Sequence, residues 1–148
     1  MLRMRVCWMS GLVLGGLLWG LQARAADAPQ LDVRFPQGQV AGRIADGTRI
    51  GQGRITYHGG HVGFQVWAEG NQTGGQPNRY VLMGQQGQRH ALKVRLEKEG
   101  WQPDNQSGKG IILHTGDDSA EFDVVADGDQ NVASDRYSID IKGVSLLP

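Results

Sequence analysis

Four stretches of the chain alternate apolar and polar residues one by one, and this constrains the fold more than any other feature. Leu31, Val33 and Phe35 alternate with Asp32 and Arg34. Val62, Phe64 and Val66 alternate with Gly63, Gln65 and Trp67. His90, Leu92, Val94 and Leu96 alternate with Ala91, Lys93, Arg95 and Glu97. Tyr137, Ile139 and Ile141 alternate with Ser138, Asp140 and Lys142. Side chains of a β-strand point to opposite faces in turn, so each pattern gives one buried face and one wet face. No window of a dozen residues carries apolar positions at the spacing of a helix. Shorter strands are expected at Ile50–Tyr57, Arg79–Met83, Gly110–His114 and Phe122–Ala126.

Turn signals separate these runs. Asp46-Gly47, Gly59-Gly60, Gly74-Gly75, Gln86-Gly87, Glu99-Gly100, Ser107-Gly108, Thr115-Gly116 and Asp127-Gly128 each supply a residue that tolerates positive φ. Short strands with turns at this spacing predict an all-β antiparallel sandwich or barrel. Gln102 to Lys109 is polar, holds a proline and reads as a loop. Tyr137 follows the polar turn Ala133-Ser134-Asp135. It is either the tyrosine corner of an immunoglobulin-like sandwich or an ordinary core aromatic.

The first 25 residues follow a different pattern. Arg3 and Arg5 precede an uncharged, mostly apolar run from Val6 to Leu21, and Ala23-Arg24-Ala25 is a small-x-small site. This is the layout of a secretory signal peptide. Sixteen residues fall short of the roughly 20 that span a bilayer. The expected division is a signal peptide at 1–25 and one domain at 26–148. The segment 1–25 holds three of the fifteen basic residues and none of the fifteen acids, so 26–148 carries a charge of −3. A mildly acidic domain has no basic excess to pair with phosphates, and no nucleic-acid partner is expected. The single cysteine, Cys7, lies within the signal, so the exported domain forms no disulfide.

Catalytic and metal-binding patterns fail on their residues. His58 and His61 flank a Gly-Gly turn, but zinc needs three or four ligands and no cysteine is at hand. Asp127-Gly128-Asp129 starts like a calcium loop, yet Val132 stands where the loop needs glycine and Ser138 where it needs glutamate. There is no Gly-x-Ser-x-Gly elbow, and Gly108-Lys109-Gly110 lacks the hydroxyl residue of a phosphate loop. Asn71-Gln72-Thr73 and Asn105-Gln106-Ser107 match a glycosylation pattern that matters only in a host that uses it. No catalytic residue, metal or cofactor is expected.

Several motifs in order resemble the AfaD-type invasins. They are Asp46-Gly47-Thr48, Gly53-Arg54-Ile55, Gly63-Phe64-Gln65-Val66-Trp67, Arg79-Tyr80-Val81, Arg89-His90 with Leu92 and Val94-Arg95, and Gly100-Trp101 with Pro103. Phe122-Asp123-Val124, Ala126-Asp127-Gly128, Gln130 and Tyr137 complete the series. Salmonella Saf-type tip subunits look like the same group. The resemblance implies a fimbrial subunit of a chaperone–usher system in a Gram-negative bacterium. The implied fold is an incomplete immunoglobulin-like sandwich completed by a donor strand. The implied groove lies between the first and last strands, matched to Leu31, Val33 and Phe35 and to Tyr137, Ile139 and Ile141. Implied partners are a periplasmic chaperone, an outer-membrane usher, an adjacent pilin subunit that donates a strand, and a host-cell surface receptor. The implied route runs through the periplasm to the tip of a surface fimbria.

The resemblance places cysteines where this chain has Tyr57 and Ser145. Cleavage after Ala25 leaves only Ala26–Gln30 ahead of Leu31, too few residues to donate a strand. A subunit that accepts a strand without donating one is expected at a fibre end. The leading expectation is a non-enzymatic tip subunit that mediates host-cell adhesion or entry. A shaft pilin or periplasmic adaptor of the same fold, and a secreted β-sandwich enzyme or inhibitor, are the alternatives. Trp67, opposite Phe64, is either a contact residue or part of a strand buried on both sides.

Overall fold

The structure is a computed structural model that describes residues 28–36, 41–87 and 89–148. The expected signal peptide at 1–25 lies outside the described residues. Among the described residues twelve strands follow one another: β1 (Gln30–Arg34), β2 (Gly42–Ile44), β3 (Arg49–Thr56), β4 (Gly63–Glu69), β5 (Asn71–Gln72) and β6 (Arg79–Met83). The rest are β7 (Ala91–Glu97), β8 (Gln102–Pro103), β9 (Ile111–His114), β10 (Ser119–Ala126), β11 (Gln130–Val132) and β12 (Asp140–Leu146). They form a six-stranded sheet ordered β1-β3-β10-β7-β6-β5, a four-stranded sheet ordered β12-β4-β9-β8, and a small ribbon of β2 with β11. All pairings are antiparallel. Of the two folds read from the alternation and the turns, a sandwich or a barrel, the sandwich is the one observed.

The inner faces meet in one core. Ile55, Phe122, Val124, Leu92, Val94, Leu96 and Tyr80 from the large sheet pack with Phe64, Val66 and Ile111 from the small one. Gly53 and Phe122 stand opposite each other across β3 and β10. A Cβ at 53 would lie 2.3 Å from the Phe122 ring, so only glycine leaves room for that ring. Trp101 closes the same region edge-on to Phe122, with ring centroids 6.0 Å apart, and donates its indole N–H to the Glu121 carbonyl at 2.9 Å. Gly110 has φ +69°, and a Cβ there would lie 1.9 Å from the Val66 carbonyl oxygen. This glycine meets both a conformational and a steric demand.

Tyr80 ties the sheets together without a disulfide. Its hydroxyl donates to the Pro77 carbonyl at 2.9 Å and accepts from the Ala68 N–H of the opposite sheet at 3.2 Å. Removing the hydroxyl orphans a buried N–H, which costs on the order of 1–3 kcal/mol. The Tyr80→Phe protein is therefore expected to unfold at a lower urea midpoint with an unchanged slope; an unchanged midpoint contradicts the role.

The structure corrects the sequence reading in several places. Val62 shares the register of Phe64 and Val66 but precedes β4 and is 46% exposed. Gln102 and Pro103 form a short edge strand on β9 rather than a loop. The last strand begins at Asp140, so Tyr137 and Ile139 lie ahead of it, with Tyr137 held by a single bridge to Gly84.

Candidate functional site: the open edges and the apolar cleft

Among the described residues, β1 pairs only with β3 and β12 pairs only with β4. Each is the outermost strand of its sheet, and the two come within 8 Å of each other between Cα atoms. The opposite edges are the two-residue strands β5 and β8, the latter with a proline. Those ends are blunted in the usual way, whereas β1 and β12 offer five and seven residues of free backbone.

Beside these edges lies an open cleft of about 520 Å³. Phe35 and Pro36 form one wall, and Tyr137, Ser138 and Ile139 form the other. The floor is the core itself, through Ile50, Leu82, Leu92, Val94 and Val124. Phe35 is 45% exposed, and its ring lies where a side chain at Gly51 would have to go.

The Tyr137 wall is held by a buried carboxylate. The Asp135 side chain is fully enclosed and accepts hydrogen bonds from His90 Nδ1 at 2.8 Å and from the N–H groups of Gln86 and Arg136 at 2.9 and 2.6 Å. Burial pushes the carboxyl upward, but His90 and the two N–H groups outweigh it and hold Asp135 below the ordinary carboxylate range. Its contribution is present above the unfolded carboxyl value and is lost as pH falls through the depressed one. The Tyr137 hydroxyl donates to the Ala133 carbonyl at 2.7 Å. Of the two sequence readings of Tyr137, this bond selects the tyrosine corner. Burial, then Asp135, pushes its phenol up and keeps it a neutral donor.

Of the six residues expected in a groove, Phe35, Tyr137 and Ile139 line this cleft. Leu31, Val33 and Ile141 pack half-buried against the core beneath the two free edges. Sequence reasoning missed the floor and the polar rim of Gln85, Asp135, Arg136 and Ser138. The alternation already put Leu92 and Val94 inward, but Asp135 carries no local signal. Trp67 lies half-buried on the outer face of the small sheet with the Lys109 ammonium 3.8 Å above its ring. Ser145 pairs with Phe64 across the β12–β4 ladder, and its buried hydroxyl has no partner among the described residues. The four histidines do not form a metal cluster among the described residues.

An immunoglobulin-like sandwich with one strand missing, and with facing edges left free, defines a class of fimbrial subunits. The chain is similar over 90% of its length to Protein AfaD of Escherichia coli, with 32% identity over 134 residues covering 90% of that protein. It is 26% identical to Escherichia coli Protein AggB over 142 residues, which cover 95% of this chain and 91% of AggB. The crystal structure of the Salmonella SafD adhesin superposes with a TM-score of 0.77 at 45% identity, covering 80% of this chain and 84% of SafD. The family described as Enterobacteria AfaD invasin protein matches residues 40–143. The chain belongs to the AfaD invasin family. Of these relatives, SafD is an adhesin and AggB is the minor subunit of aggregative adherence fimbriae type I.

Proposed function

We propose that this chain is the strand-accepting tip subunit of a surface fimbria and acts by adhesion rather than catalysis. The observation that carries the reading is the pair of free edges beside an apolar cleft. An extended segment laid between β1 and β12 would pair with one or both edges and press alternate side chains toward the core, which is β-strand addition. A periplasmic chaperone covers the gap first, an outer-membrane usher passes the subunit outward, and an adjacent pilin then supplies the lasting strand. The groove residues are Leu31, Val33, Phe35, Tyr137, Ile139 and Ile141. Uncovered, such edges and apolar surface invite aggregation, which explains a need for constant cover.

The SafD adhesin, at 45% identity, supports contact with host surfaces as the task. The description of AggB as a minor subunit of aggregative adherence fimbriae supports a place at the fibre end. Immunogold labelling of intact fibres tests that place. Gold at fibre ends is the expected result, and even labelling along the shaft overturns it.

A further inference from the structure

We propose that His61 is a proton-operated staple that ties the turn between β3 and β4 to the turn between β9 and β10. Its Nδ1 lies 2.8 Å from the Gly59 carbonyl oxygen, and its Nε2 lies 2.6 Å from the Asp117 carbonyl oxygen. A carbonyl oxygen only accepts, so both ring nitrogens must donate. Neutral imidazole has one N–H and the imidazolium has two. The arrangement is therefore complete only when His61 is charged.

The surroundings favour that charge. The Phe64 ring centroid lies 4.7 Å from the imidazole, and Tyr57 meets it edge-on at 5.6 Å. A ring attracts a cation through its face, so the tilted Phe64 ring, and not the edge-on Tyr57, is the one placed to favour the charge. From the β9–β10 turn, Asp117 and Asp118 bring two carboxylates, and Asp118 also takes His58 at 3.1 Å. From its own turn the titratable neighbours are His58 and Tyr57; β4 contributes the uncharged Phe64. The Gly59 carbonyl above all, then the Asp117 carbonyl and the two carboxylates, hold His61 above the ordinary imidazole value against the opposing effect of burial.

Loss of the proton removes one of the two bonds. The staple's stabilisation is whole below the unfolded histidine value of about 6.5 and is lost as pH rises through the raised folded value. Three backbone bonds run beside the staple. Tyr57 N–H donates to the Asp118 carbonyl, Thr115 N–H to the Val62 carbonyl, and Val62 N–H to the Leu146 carbonyl at the end of β12. Release therefore loosens this end of the sandwich. The inference rests on these contacts and stands apart from the groove reading.

The test is nuclear magnetic resonance on the full chain from about pH 5.5 to about pH 8.5, the range that spans imidazole titration. The His61 ring resonance is expected to titrate above the ordinary imidazole value. The Val62 and Thr115 amides should exchange faster with rising pH than base catalysis alone requires. His61→Gln should remove that excess, while His58→Gln should keep both effects. A His61 resonance at or below the ordinary value overturns the staple, whatever the variants do. Superimposable exchange profiles for wild type and His61→Gln also overturn it, as does loss of the effect in His58→Gln.

Discussion

The Gly53→Val protein is expected to lose its native fold. A Cβ at this position would meet three Phe122 ring carbons at 2.3, 2.7 and 2.8 Å, far inside van der Waals contact. The ring cannot retreat, because it is wholly buried and held edge-on by Trp101. Expelling it forfeits about 3–5 kcal/mol, the usual loss for a large aromatic in a core. Domains of this size have only about 5–15 kcal/mol in hand. Urea denaturation followed by tryptophan fluorescence measures the effect. The control is Gly60→Ala, where a Cβ meets nothing within 4 Å and φ is ordinary. Reducing the ring in the double variant Gly53→Val with Phe122→Leu should recover part of the loss, since residues in contact couple. A Gly53→Val protein as stable as wild type contradicts the packing described.

A peptide carrying the donor strand of the partner pilin is expected to raise the thermal midpoint sharply. Anything that binds the folded state alone adds RT ln(1 + [L]/Kd), about 4 kcal/mol at a thousandfold excess over Kd. For a domain of this size each kcal/mol moves the midpoint by several degrees. Three features make the gain large here. The five residues of β1 and seven of β12 have an unpaired side. The cleft of about 520 Å³ has apolar walls at Phe35, Tyr137 and Ile139. Leu31, Val33 and Ile141 lie half-exposed where an inserted strand would cover them. Paired strands sit about 4.8 Å apart, so a strand that pairs with both edges needs about twice that span. Because β1 and β12 come within 8 Å, they must part as the strand enters, and insertion should be slow as well as stabilising. A midpoint unchanged by the peptide contradicts the incomplete fold.

The sequence made the inward faces legible because period two is a direct readout of a half-buried strand. Leu92, Val94 and Leu96, and Phe64 and Val66, all face the core as their alternation requires. It failed where tertiary context decides. The Tyr137–Ile141 alternation is real, since all three residues face inward, yet the backbone pairs only from Asp140 because the Asp135 network and the tyrosine corner hold the segment before it. Glycine is also more than punctuation. Gly53 lies inside a strand to make room for Phe122, a demand that exists only once β3 and β10 are paired. The groove is an expectation of the resemblance and not of the alternation. Half of its six residues line the cleft, and the others lie under the adjacent edges.

Amide hydrogen exchange with and without the donor-strand peptide tests the central claim most directly. The strand is predicted to protect the outward amides of Gln30–Arg34 and Asp140–Leu146, the free sides of β1 and β12. The short edges at Asn71–Gln72 and Gln102–Pro103 should exchange as before. Protection at those short edges, or none at β1 and β12, would contradict the account.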